Sequence, residues 1–137
     1  MCDSYIFNRN FDSMKKVIAT ENAPKAVGPY SQAIEVNGTL YISGQIPVNP
    51  ADGQVQTEIT AAAHQSLKNI GAILAEAGMT YDNVVKTTVL LADIADFKAV
   101  NEVYAEYFTG DKPARACYQA AALPLGVKVE IEAIAVR

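Results

Sequence analysis

No tryptophan occurs in this chain, histidine occurs once, and the two cysteines, Cys2 and Cys117, lie far apart. That cysteine usage gives no disulfide framework and suits a reducing compartment, so a cytoplasmic location is expected. C-x-x-C and H-E-x-x-H are missing, and a metal would have to be held by carboxylates alone, so no metal site is expected. Neither G-x-G-x-x-G nor G-x-x-x-x-G-K-[ST] appears, which removes the usual nucleotide cradles. Long apolar runs are missing too: stretches such as Val89–Ala92 stop at four residues, too short to span a bilayer. Bases are outnumbered by acids, 11 to 15, and the net charge of −4 gives no general attraction to nucleic acid.

What the chain has in abundance is hydrophobicity. Half of its 137 residues are apolar and only 19% are charged, the balance of one folded domain rather than a disordered segment. Residues 1–13, MCDSYIFNRNFDS, differ from the rest in showing no period. Arg9 set against Asp3 and Asp12 makes a poor transit peptide. Met14-Lys15-Lys16 reads like a second start, so residues 1–13 are expected to be an extension, disordered or laid on the surface, and residues 14–137 a single domain.

Turn and periodicity signals divide that domain. Lys16–Thr20 reads as a strand, and Pro24, Gly28 and Pro29 mark a loop. Ser31–Val36 and Thr39–Ser43 flank Asn37-Gly38, a hairpin turn whose central residues need positive φ. Thr57–Ala77 carries one apolar stripe at helical spacing (Ile59, Ala63, Leu67, Ile70, Ile73, Leu74), and Gly78 ends it. Asn83–Ala92 reads as a strand. Asp93 is placed to cap a second helix, with a stripe of Phe97, Val100, Val103, Tyr104, Tyr107 and Phe108. Ala114–Ala122 and Val127–Val136 complete the order β-β-β-α-β-α-β-β, an α+β fold with a single mixed sheet and two helices packed on one face.

Two helices cover only one side of six strands. The other side should then be polar, yet Ile134 and Val136 share parity with Lys128, Glu130 and Glu132, and Val84-Val85 and Leu90-Leu91 put apolar residues on both faces of their strand. A homo-oligomer that buries this second face is expected.

The candidate chemistry gathers around one arginine. Of the three in the chain, Arg115 alone sits in the body, at the start of an almost uncharged strand. A guanidinium there needs an anion: either an ion pair such as Glu130 on a neighbouring strand, or a substrate carboxylate held by two hydrogen bonds. Alternation puts Cys117 on the same face as Arg115, and nothing nearby in sequence supplies a base for its thiol, which reads as a small apolar filler. Glu130 and Glu132 share a face, and one of them beside Arg115 could orient a water. Gly44, in Ser43-Gly44-Gln45, permits close approach to backbone N–H groups. Tyr30 stands at the edge of a tight loop, and His64 reads as a boundary residue of the first helix.

The segments APKAVGPYSQA (23–33), YISGQIPVNP (41–50), NVVKTTVLLADIADFKAVNEVY (83–104), PARACYQAAALP (113–124) and VEIEAIAV (129–136) together resemble the RidA/YjgF family, from about Met14 onward. That resemblance implies a chorismate-mutase-like fold and a homotrimer with a central sheet-lined barrel and sites at the clefts between subunits. It implies a 2-iminobutanoate/2-iminopropanoate deaminase, hydrolysing imines and enamines released by pyridoxal-phosphate-dependent dehydratases to 2-oxo acids and ammonia, without cofactor or metal. By motif, Arg115 binds the substrate carboxylate with the Gly44 amide, and the Cys117 backbone carbonyl and Glu130 orient the water. Tyr30 and Ser43 line the pocket from the adjacent subunit, and Phe97 and Asn101 form part of its wall. The TGDKPAR loop, with Lys112 before its proline, departs from relatives that carry an aromatic there and leaves the preferred side chain open. Rival readings are a non-catalytic module for small carboxylates and an endoribonuclease; the acidic balance, single histidine and missing basic patch weigh against the latter.

Overall fold

Backbone chemistry explains where each element starts and stops in the computed structural model, which describes residues 14–137. β1 (Lys16–Ile18), β2 (Ala33–Val36) and β3 (Thr39–Gln45) form an antiparallel meander. Asn37 and Gly38 make the β2–β3 turn with φ of 51° and 81°, the left-handed conformation that this pair tolerates best. Helix α1 (Ile59–Glu76) is capped by a residue the sequence pattern did not single out: the Glu58 carboxylate accepts hydrogen bonds from the Thr60 and Ala61 amides, at 3.0 and 3.1 Å. Those bonds hold the Glu58 carboxyl below the ordinary carboxylate range. Gly78, at φ 74°, ends α1 in the expected way.

β4 (Val84–Leu91) follows, then a short 3-10 turn whose Ala95 amide donates to Asp93 at 2.9 Å, then α2 (Phe97–Tyr107). β5 (Ala114–Gln119) and β6 (Val129–Val136) close the chain, so every expected strand and both helices are present, with ends moved by up to three residues. The strand order is β1-β2-β3-β6-β4-β5. Only β4 and β5 run parallel, with α2 as the crossover between them, which makes the sheet mixed.

One face of this sheet is dry. Leu40, Ile42, Val89, Leu91, Val129, Ile131, Ala133 and Ala135 turn toward the helices and pack against Leu67, Ile70, Ile73 and Leu74 of α1 and Val100 and Val103 of α2. The opposite face has no cover among the described residues. A row of cross-strand partners, Val17, Ile34, Tyr41, Ile134 and Lys86, runs over it, with Val17 58% and Tyr41 48% exposed. Apolar side chains therefore lie on both faces, as the parity of the last strand indicates.

Two irregularities re-aim side chains. Between Ile42 and Gln45, β3 advances three residues while its partner β6 advances two, from Ala133 to Ile131, a β-bulge at Ser43-Gly44. A second bulge falls in β4 at Val85, between Val84 and Lys86. The expectation for residues 1–13 falls outside the described residues.

Candidate functional site

The sequence-derived site residues separate into two groups, one on each side of the sheet. The first is built at the β5 edge. Because β5 pairs in parallel with β4, Arg115 stands opposite Thr87 and Cys117 opposite Val89, both on the helix-covered side. The Arg115 Nη1 donates to the Asn101 Oδ1 at 2.7 Å. Its guanidinium carbon lies 4.9 Å from the Tyr104 ring centre and 5.5 Å from that of Phe97. Phe97, Asn101 and Tyr104 are spaced i, i+4 and i+7 on α2, one helical face turned to one cation. Beneath them the Tyr104 and Thr87 hydroxyls share a buried hydrogen bond of 2.7 Å. Burial raises the Tyr104 phenol above its ordinary value, against the opposing influence of Thr87 and Arg115.

Half-buried Cys117 packs on the same core, and burial pushes its thiol up, with Arg115 opposing. A raised thiol is a poor nucleophile, which fits the filler reading of the side chain.

The second group sits at the β3 bulge on the uncovered side. The Glu130 carboxyl lies directly over Gly44, so close that a Cβ at position 44 would collide with it. Any side chain at position 44 would have to push the Glu130 carboxyl aside, so glycine there lets the carboxyl keep its place. Burial first, and the like charge of Glu132 second, raise the Glu130 carboxyl above the usual 4.5. Ser43 donates its hydroxyl to the Ser31 carbonyl at 2.6 Å, which ties the bulge to the Gly28–Ser31 loop. Tyr30, on that loop, is 52% exposed and borders a depression shared with Ser43, Tyr41 and Ile34.

The loop itself hangs on a residue that the sequence pattern did not flag. Gln32 is buried; its Oε1 accepts from the Thr20 amide, and its Nε2 donates to the carbonyls of Thr20, Ala23 and Pro24. A glutamine among loop carbonyls is the signal that marks it.

An Arg115–Glu130 ion pair, one of the two expectations for Arg115, is ruled out within the chain. β4 lies between β5 and β6, and the two side chains leave opposite faces of the sheet: Glu130 opposes Leu90, whereas Arg115 opposes Thr87. Among the described residues no carboxylate pairs with Arg115, and no cluster of His, Cys, Asp or Glu is arranged to hold a metal ion. His64 is a half-buried boundary residue, its Nδ1 within 2.7 Å of the Tyr107 hydroxyl. No helix among the described residues is long and apolar enough to cross a membrane.

Comparison with known proteins places the chain in a family. The model of the family described as Endoribonuclease L-PSP matches residues 20–137. A mouse protein named 2-iminobutanoate/2-iminopropanoate deaminase is 58% identical over 125 residues, 90% of this chain and 93% of that protein. An Escherichia coli K12 protein of the same name is 50% identical over 127 residues, 90% of this chain and 99% of its own length. Among solved structures, E. coli TdcF with bound serine superposes with a TM-score of 0.87 at 44% identity, covering 90% of this chain and 99% of that one. The E. coli YjgF gene product gives 0.87 at 50% identity, covering 89% and 98%. Nearly the whole described chain is matched in sequence and in fold, and the chain belongs to the RidA/YjgF (Endoribonuclease L-PSP) family.

Proposed function

We propose that this protein is a 2-iminobutanoate/2-iminopropanoate deaminase whose site forms where the Arg115 edge of one copy meets the Glu130 bulge of another. The observation that carries the reading is the division of the groups. Arg115 offers a cation with no carboxylate partner among the described residues, and Glu130 offers a proton acceptor with a raised pKa, on opposite faces of one sheet. A second copy seated on the uncovered face brings the two halves together and buries Tyr41, Ile134 and Val17. A homotrimer with a central sheet-lined barrel is the assembly that does this in our reading, with residues 14–137 as its repeating domain.

The chemistry follows from the substrate. A 2-imino acid carries a carboxylate beside a carbon that is already electrophilic, so the enzyme must chiefly hold and orient it. Arg115 takes the carboxylate through nitrogens not engaged by Asn101, and the Gly44 amide assists. Phe97 and Tyr30 border the substrate side chain, and Ser43 and Asn101 complete the wall. A water held by Glu130 and the Cys117 backbone carbonyl adds to the imine carbon, and Glu130 accepts its proton. The proton passes to nitrogen, the C–N bond breaks, and ammonia and a 2-oxo acid leave. An enamine enters after tautomerising to the imine. Water supplies the only added atoms and no oxidation state changes, so the reaction balances without a redox cofactor. Pyridoxal-phosphate-dependent dehydratases of the cytoplasm are the source of such imines.

Coupling a threonine dehydratase to the protein, in a buffer that slows spontaneous imine hydrolysis, tests the reading through the rate of 2-oxobutanoate release. The wild-type protein should accelerate release, and Arg115→Ala should fall to the buffer rate with its mass by light scattering unchanged. No acceleration by wild type sinks the enzyme in favour of a carboxylate-binding module. A stable monomer near 15 kDa removes the shared site.

A further inference from the structure

We propose that Tyr104, pinned through its hydroxyl to Thr87, is the positioning residue that sets the plane of the Arg115 guanidinium for a substrate carboxylate. This rests on the carboxylate clamp of the deaminase reading and adds the part of the molecule that prepares it. Helical periodicity placed Tyr104 in the apolar stripe of α2, and packing does bury it, at 6% exposure. Packing alone does not call for a hydroxyl there. That hydroxyl meets Thr87, which is 1% exposed, at 2.7 Å. Thr87 is in turn the cross-strand partner of Arg115. The β4–β5 ladder thus carries both the anchor of the ring and the cation above it, and fixes their separation independently of the loops around them.

The manner of holding matters as much as the distance. Tyr104 and Phe97 offer ring faces at 4.9 and 5.5 Å, and Asn101 offers a neutral oxygen. A ring quadrupole attracts a cation without cancelling its charge. Arg115 is restrained while its full charge remains available, whereas a carboxylate in the same place would compete with the substrate. A planar guanidinium on a fixed ring also keeps its fork in one orientation, which a carboxylate bound by two parallel hydrogen bonds requires.

Steady-state kinetics on 2-iminobutanoate with the assembled full-length protein, together with the Kd for 2-oxobutanoate, test the assignment. Tyr104→Leu should raise KM about tenfold and leave kcat within about twofold, the pattern of lost ground-state binding. The Kd for 2-oxobutanoate should rise by the same factor. Tyr104→Phe and Thr87→Val each remove one end of the hydroxyl pair; each should raise KM about threefold, and together no further. In an Arg115→Lys background, where no planar cation lies on the ring, Tyr104→Leu should shift the Kd by less than about twofold.

A wild-type KM in Tyr104→Leu overturns the assignment, as does a fall in kcat at unchanged Kd. A full tenfold effect on the Kd in the Arg115→Lys background also overturns it. Should Tyr104→Leu fail to fold, the two conservative variants decide, and wild-type values in both refute the proposal. Failure of the clamp itself is distinct: Arg115→Ala would then bind 2-oxobutanoate like wild type.

Discussion

Two arginines of this protein are held in opposite ways. Arg137 donates from Nε and Nη2 to the Glu35 carboxylate, at 2.7 and 3.0 Å, and Nη2 also reaches the Ala77 carbonyl at the end of α1. Its charge is answered within the fold, and the bond lowers the Glu35 carboxyl below its ordinary value. Arg115 is held by an amide oxygen and two aromatic faces, and among the described residues no carboxylate answers it. The first arginine fastens β2 to a helix end. The second is restrained without being neutralised, which is what a group meant for an external anion requires. How a cation is held says more about its use than its exposure does.

The largest effect should come from separating the halves that Arg115 and Glu130 represent. Glu130→Gln is expected to lower kcat about a hundredfold or more with little change in KM. Because burial and Glu132 hold this carboxyl above 4.5, the acid limb of the wild-type pH–rate profile should lie above that value and vanish in the variant. Arg115→Ala and Glu130→Gln chains refolded together should regain activity toward about a quarter of wild type, since random assembly leaves that share of clefts with both groups intact. A mixture as inactive as its parts would place both groups in one copy.

A smaller change tests the neutral cage directly. Asn101→Asp gives Arg115 the kind of partner that Arg137 has, and KM should rise about tenfold or more without loss of thermal stability. An unchanged KM would mean that the absence of a nearby carboxylate has no bearing on binding.

Smallest is the effect at Arg137. Arg137→Ala should leave kcat/KM unchanged and lower the melting temperature near neutral pH. A carboxyl lowered in the fold contributes stability above its unfolded value, lost as pH falls through the lowered one. The difference in melting temperature should therefore narrow below about pH 4.5 as Glu35 takes up its proton.

Much of the fold was legible because it follows local rules. The Asn37-Gly38 turn, the stripe from Ile59 to Leu74 and the last strand, read as Val127–Val136 and observed as Val129–Val136, each declare themselves by local signals. Strand order does not, because it depends on which apolar faces meet after the chain has turned several times. The insertion of β6 between β3 and β4 therefore separated Glu130 from Arg115, where the sequence had left a neighbouring-strand pair open. Gly44 was readable as a place of close approach, but the approaching group is Glu130 of the same chain. Tyr104 was readable only as core. Its i, i+4, i+7 relation to Phe97 and Asn101 was present in the sequence, and the cation that gives the relation meaning arrives from a strand ten residues further on.

The bulge in β3 has one more consequence, for the kinds of sequence change this chain can absorb. Side chains along a strand keep a two-beat rhythm, and the extra residue at Ser43-Gly44 resets it, so that Ile42 and Gln45 both face the helices. Deleting one of the two would remove the bulge and restore plain alternation, with Gln45 still facing the helices two places after Ile42, but the Ser43 tie to the Ser31 carbonyl or the close approach of Glu130 to Gly44 would be lost. What the length of this segment protects is therefore the bulge and its two contacts, and not the burial of the strand.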